Sequence, residues 1–150
     1  MWSCAPAPPT FFPVYQGFID GGVAANNPSL CALAQAIHPA TGGQALQDVT
    51  LLSLGTGAKP QFSTAVDQNW GIAQWNFTLI DLLFDGSSGL ADYQCRQLLG
   101  DCYARLNVDL PENIGLDEAG RIDELVRLAD QSDLSAASEW IKTQWQRADL

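Results

Sequence analysis

Apolar residues return at Leu30, Leu33, Ala34 and Ile37, the i, i+3, i+4, i+7 spacing of one helix face, and predict an amphipathic helix over residues 28–37 closed by Pro39. Thr41-Gly42-Gly43 then turns the chain, and residues 48–54 form a mostly apolar run suited to a strand buried on both faces, as parallel strands are. The apolar run ending at Phe18-Ile19 also reads as a strand, so strand, helix and strand make a βαβ unit and predict an α/β fold. Further on, Ile72, Trp75, Leu79, Leu82 and Leu83 share a helical face. Gly86 to Gly89 is expected to break that helix before a second one carrying Ala91, Cys95 and Leu98. Over residues 102–110 the alternation is strict, with Cys102, Ala104, Leu106, Val108 and Leu110 on one face and Tyr103, Arg105, Asn107 and Asp109 on the other, which predicts a half-exposed strand. Pro111-Glu112-Asn113 ends it. Ala119, Ile122, Leu125, Val126 and Ala129 mark a helix after Asp117-Glu118, and Ala137, Trp140, Ile141 and Trp145 mark a last one after Ser135. Both are expected to pack on the sheet or on each other. No repeat, low-complexity tract or long linker divides residues 1–150.

The segment Phe18-Ile19-Asp20-Gly21-Gly22 places a carboxylate where the first strand ends and the helix approaches. The C-terminal edge of an α/β sheet is where such folds bind ligands and carry chemistry, so Asp20 is the first candidate for a functional group. Gly21 and Gly22 allow the tight corner, and Asn27 followed by Pro28 supplies an N-cap and a preorganised first helical residue. Taken alone, Asp-Gly-Gly is more often only a hairpin or loop signal.

Composition narrows the chemistry. The 150 residues are 47% hydrophobic, ordinary for one globular unit. Seventeen acids against seven basic residues give a formal charge of −10, which repels phosphate backbones and anionic membranes and argues against nucleic-acid binding. No apolar stretch reaches the about 20 residues of a spanning helix. No basic residue precedes Lys59, so neither a secretory n-region nor a transit peptide is expected, and a cytoplasmic location is. Cys4, Cys31, Cys95 and Cys102 match no zinc spacing and His38 is the single histidine, so no metal or other cofactor is expected, and the cysteines read as small buried apolar residues. Gly55-Thr56-Gly57 lacks the third glycine of a dinucleotide fingerprint and reads as close backbone passage at the sheet edge. A helix over residues 28–37 is about 15 Å long and carries His38 away from the Asp20 corner.

Asp20-Gly21-Gly22, Asn26-Asn27-Pro28 and Leu52-Ser53-Leu54-Gly55-Thr56-Gly57, preceded by Ala5-Pro6 and Thr10-Phe11-Phe12-Pro13, resemble in order and spacing the second half of patatin-like phospholipases. The resemblance covers residues 5–57 by motif and weakly reaches residue 110. It implies part of a three-layer α/β/α sheet with C-terminal helices, and a lipid acyl hydrolase that works with a Ser-Asp dyad. Asp20 would be the base, with Gly21, Gly22 and Asn27 supporting the site. Trp70 and Trp75, on or just before the helix after residue 69, would line an acyl channel or touch lipid, against the plainer expectation of core packing.

The resemblance also implies a Gly-x-Ser-x-Gly elbow and a glycine-rich oxyanion loop, and neither occurs in these 150 residues. Gly86-Ser87-Ser88-Gly89-Leu90 ends in leucine and has no strand leading into it, and Ser53 lies inside a strand run. The segment therefore reads as half of an active site, inactive alone, whose partners are a lipid or acyl-ester substrate and the missing N-terminal half of the domain. The alternative is an inactive fragment or a non-enzymatic interaction module that uses the same sheet edge to bind a protein.

Overall fold

The computed structural model describes residues 21–58, 72–112, 114 and 118–145, with the side chains of Val23 and residues 72–81 outside that description. Asp20, Trp70 and Cys4 lie outside the described residues. In chain order the elements are helix α1 (Ser29–Ile37), strand β1 (Leu51–Leu54), helix α2 (Ile72–Leu99), strand β2 (Tyr103–Leu106), helix α3 (Ile122–Asp130) and helix α4 (Ser135–Gln144). This is the mixed α/β architecture that the hydrophobic pattern predicts.

β1 and β2 pair in parallel with Leu51 opposite Tyr103, Leu52 opposite Ala104, Ser53 opposite Arg105 and Leu54 opposite Leu106. Parallel neighbours need a long crossover, and α2 lies in that connection. The pairing runs on past the strands, since Gly55 N–H donates to the Leu106 carbonyl (2.8 Å), Ala58 N–H to Val108 (2.7 Å) and Leu110 N–H to Ala58 (2.9 Å). Leu33, Cys95, Leu99 and Tyr103 form the buried centre, with Leu30, Val49, Leu51 and Cys102 packed around it. Burying a side chain such as Leu33 is worth about 1.5–3 kcal/mol, so this small cluster is the main anchor between α1, α2 and the strands.

Three expectations from the pattern are corrected. First, α2 is one unbroken helix through Gly86, Ser87, Ser88 and Gly89. Open space surrounds the Cβ positions of both glycines, while α2 packs on both α1 and β2, so tertiary contact holds a segment of poor intrinsic propensity in the helix. Second, β1 is not buried on both faces: Ser53 is buried whereas Leu54 is 69% exposed.

Third, alternation does not divide β2 into a buried apolar face and an exposed polar one, since Arg105 and Asn107 are half-buried like Ala104, Leu106 and Val108. Tyr103, assigned by alternation to the polar side, is buried against Leu33, Cys95 and Leu99, whereas Ala104, Leu106 and Val108 are only half-buried. The hydroxyl of Tyr103 donates to Asp92 (2.9 Å) on α2, which lets a large ring enter the core with its polar end satisfied. Burial first, and then the Asp92 contact, push the Tyr103 phenol above its ordinary pKa. The predicted strand over residues 102–110 contracts to Tyr103–Leu106, with an isolated bridge between Ala58 and Asp109 continuing the ladder.

The cysteines divide as well. Cys95 is fully buried, its thiol raised by burial and then by Asp92, while Cys102 is partly buried and Cys31 is exposed. The buried-cysteine expectation therefore fails at Cys31, which lies on the solvent side of α1. α3 and α4 follow β2 as predicted, and α4 packs on β2, with Trp140 Nε1 donating to the Asp101 carbonyl (2.8 Å). Arg121, just before α3, pairs with Glu112, Glu118 and Glu124.

Candidate functional site at the start of helix α1

Gly21 and Gly22 are buried and open a short 3-10 turn, Gly21–Val23. The carbonyl of Gly21 accepts the N–H groups of both Ala24 (3.0 Å) and Ala25 (2.9 Å), which tightens the chain immediately after Asp20. Two residues later Asn27 is only 4% exposed and bonds to two other segments, the start of α1 and α2.

Asn27 Oδ1 accepts the Ser29 backbone N–H (3.1 Å) and the Ser29 hydroxyl (2.5 Å), and Asn27 Nδ2 donates to the Ser88 carbonyl (3.2 Å) on α2. The helix proper starts at Ser29, one residue later than the pattern predicts, and Pro28 occupies the cap position without a side-chain bond. Asn27 thus meets the capping expectation from one position further out, by satisfying the first N–H of the helix. Its neighbour Asn26 donates to the Phe84 carbonyl (3.4 Å). Phe84 and Ser88 are one turn apart on α2, so the two asparagines hold the same helix face at successive turns.

The network then crosses to the sheet. Ser29 Oγ lies 2.8 Å from Ser53 Oγ, and Arg105 Nη1 donates to Ser53 Oγ at 2.7 Å. Asn27 Oδ1 can only accept, so Ser29 gives its one hydroxyl proton there and receives that of Ser53, which in turn receives the guanidinium. Arg105 Nη2 also reaches Ser88 Oγ (3.4 Å), closing the circuit. Ser29 and Ser53 are 5% and 6% exposed, and among the described residues no buried side-chain nitrogen or oxygen lacks a partner. At the same strand edge Asn107 Oδ1 accepts the Gly57 N–H (2.9 Å), and a side chain on Gly55 would meet Asn107 and Arg105, so the Gly55-Thr56-Gly57 segment is indeed a close backbone passage.

The sequence-derived site residues separate as follows. Gly21, Gly22 and Asn27 lie in the segment that leads into α1, and Asn27 is linked through Ser29 to Ser53 on β1. Trp75 lies in α2 with its side chain outside the described residues, as do Asp20 and Trp70 altogether. His38 ends α1 at the opposite end from Asn27, exposed, with Nδ1 accepting the Ala40 N–H (3.2 Å). Ser88 lies inside a helix and Ser53 inside a strand, so neither stands on the strand-to-helix corner of a nucleophile elbow.

Sequence reasoning missed Ser29, Ser88 and Arg105. Alternation places Arg105 on the polar face of its strand, and the Gly-Ser-Ser-Gly tract carries a helix-break signal, so neither points to this network. A surface hollow of about 330 Å³ lined by Leu46, Gln47, Leu98, Leu99 and Cys102 lies at the other edge of the sheet, before β1 and β2 begin. Among the described residues no three histidine, cysteine or acidic side chains gather as metal ligands, and no helix is long and apolar enough to cross a membrane.

Comparison with known proteins gives the kinship. The putative sporulation hydrolase CotR of Bacillus subtilis is 24% identical over 87% of this chain and 48% of its own length. Patatin-like protein 3 of Arabidopsis thaliana is 30% identical over 59% of the chain and 28% of its own length. The 85/88 kDa calcium-independent phospholipase A2 of Rattus norvegicus is 32% identical over 75% of the chain and 17% of its own length. The chain thus spans half or less of the length of these relatives. No family model and no solved structure matches it. Across the parts they share, the chain is related to the patatin-like phospholipases.

Proposed function

We propose that this segment supplies the base half of a lipid acyl hydrolase, with Asp20 as the general base of a Ser-Asp dyad. The observation that supports the reading is the buried Gly21-Gly22 turn followed by a buried Asn27 that is tied to α2 directly and to β1 through Ser29, since strand-to-helix corners are where α/β folds place their chemistry. A lipid ester is the substrate class in keeping with the phospholipase and patatin-like relatives.

In this reading Asp20 takes the proton of a serine hydroxyl outside these 150 residues as the oxygen attacks the ester carbonyl. Backbone N–H groups outside the chain hold the oxyanion, Asp20 returns the proton to the departing alkoxide so that the alcohol leaves, and the regenerated carboxylate then takes a proton from the water that cleaves the acyl-enzyme, returning it to the serine oxygen. The chain alone is inactive, and the missing part of the catalytic domain is its partner. Trp70 and Trp75 contact the acyl chain.

The test uses a polypeptide that joins this segment to the nucleophile-bearing one. Asp20→Asn keeps size and hydrogen bonding but cannot take a proton, so kcat falls about 10²–10⁴-fold with the melting temperature unchanged. His38→Ala leaves kcat unchanged. Activity kept by Asp20→Asn and lost in His38→Ala, with both proteins folded, overturns the dyad. In the same assay Trp75→Ala raises KM more for long-chain than for short-chain esters, and equal changes assign Trp75 to packing.

A further inference from the structure

We infer that Arg105 is a positioning residue for this reaction: through Ser53, Ser29 and Asn27 its guanidinium fixes the start of α1 and the Gly21-Gly22 corner that follows Asp20 in the chain. The catalytic consequence rests on the reading above, and the geometry does not. Five residues from four places in the fold close a ring of hydrogen bonds. Arg105 on β2 donates to Ser53 on β1, Ser53 meets Ser29 on α1, Ser29 meets Asn27 before α1, Asn27 donates to the Ser88 carbonyl on α2, and Ser88 Oγ returns to Arg105.

Arg105 is the one charged member of this ring. Charge-assisted bonds are stronger than neutral ones, and in a hydroxyl chain each bond polarises the next, so the guanidinium sets the direction of every proton up to Asn27 Oδ1. The flat fork of arginine also allows Nη1 and Nη2 to serve Ser53 and Ser88 together, which the single ammonium of lysine does not reproduce. From Asn27 the constraint passes through one intervening residue, Asn26, to Ala25, whose N–H is held by the Gly21 carbonyl at 2.9 Å. A reacting group beside this corner keeps its aim only while the ring is closed.

The experiment measures amide hydrogen exchange and steady-state kinetics on the joined polypeptide with a short-chain aryl ester. Comparison is between wild type, Arg105→Lys, Arg105→Ala, Ser53→Ala and, as a control, Arg127→Lys on α3. The inference expects exchange at Ala25 and Ser29 to quicken about tenfold or more in the Arg105 and Ser53 variants, with the Leu99 amide unaffected. It expects kcat to fall about 10–100-fold at nearly constant KM, the usual cost of a slightly misplaced reacting group, and added ethylguanidinium to restore part of kcat in Arg105→Ala. A lower melting temperature in Arg105→Lys with kcat and Ala25 exchange unchanged reduces Arg105 to a stability residue and overturns the inference. An active Asp20→Asn protein instead overturns the dyad reading, so the two failures are distinct.

Discussion

Ser53 and Arg105 stand opposite each other in the parallel register of β1 and β2, and the guanidinium donates to the serine hydroxyl at 2.7 Å. This pair makes the β1–β2 ladder a platform for the start of α1, because Ser53 is also the residue that Ser29 meets. A strand serine with an unremarkable sequence context thus connects the sheet to the corner beside Asp20.

Asn27 is the most sensitive point of that platform. Asn27→Ala leaves the buried Ser29 N–H and hydroxyl without their acceptor and removes the donor to Ser88, so urea denaturation should show a loss of about 1–3 kcal/mol. Asn27→Asp keeps the acceptor but sets an oxygen against the Ser88 carbonyl, and falls between wild type and alanine. A change within about 0.5 kcal/mol for Asn27→Ala, typical of a surface site, contradicts the bracing role.

Gly86 and Gly89 lie inside α2 with open space where a Cβ would go. Gly86→Ala and Gly89→Ala should each raise stability by about 0.5–1 kcal/mol, through the lower backbone entropy of alanine in the unfolded chain and its better helix propensity. Thermal unfolding of the two variants decides the point, since destabilisation by both indicates a helix interrupted at this tract.

The start of α4 gives a pH signature. Asp133 accepts the Ser135 N–H at 2.9 Å, and its bonds to the Ser135 side chain and backbone hold its carboxyl below the usual aspartate value. A lowered native pKa means that the contribution is complete above the unfolded value and is lost as the pH falls through the native one. Asp133→Asn retains an oxygen acceptor without a charge to titrate. The stability gap between wild type and Asp133→Asn should therefore narrow on acidification into that range, and parallel acid-unfolding profiles for the two proteins rule the effect out.

The 3.6-residue repeat placed α1, α3, α4 and both parts of α2, and the apolar run placed β1, because each of these signals reports which side of a single element avoids water. The Asp20-Gly21-Gly22 and Asn26-Asn27-Pro28 motifs likewise carried the family relationship, since order and spacing are properties of the chain itself. The sequence by itself thus determined the order of the described helices and strands and the separation of His38 from Asn27. Tertiary structure decided the rest. Whether Gly86 to Gly89 bends or continues a helix depends on contacts with α1 and β2, which no local propensity contains. Alternation along β2 separates two faces but does not say which one meets the helices. Register with β1 made that choice, bringing Tyr103 to the core and Arg105 to Ser53. The ring through Asn27, Ser29, Ser53, Ser88 and Arg105 joins residues up to 61 positions apart, and hydrogen bonds of that reach exist only once packing has brought their elements together.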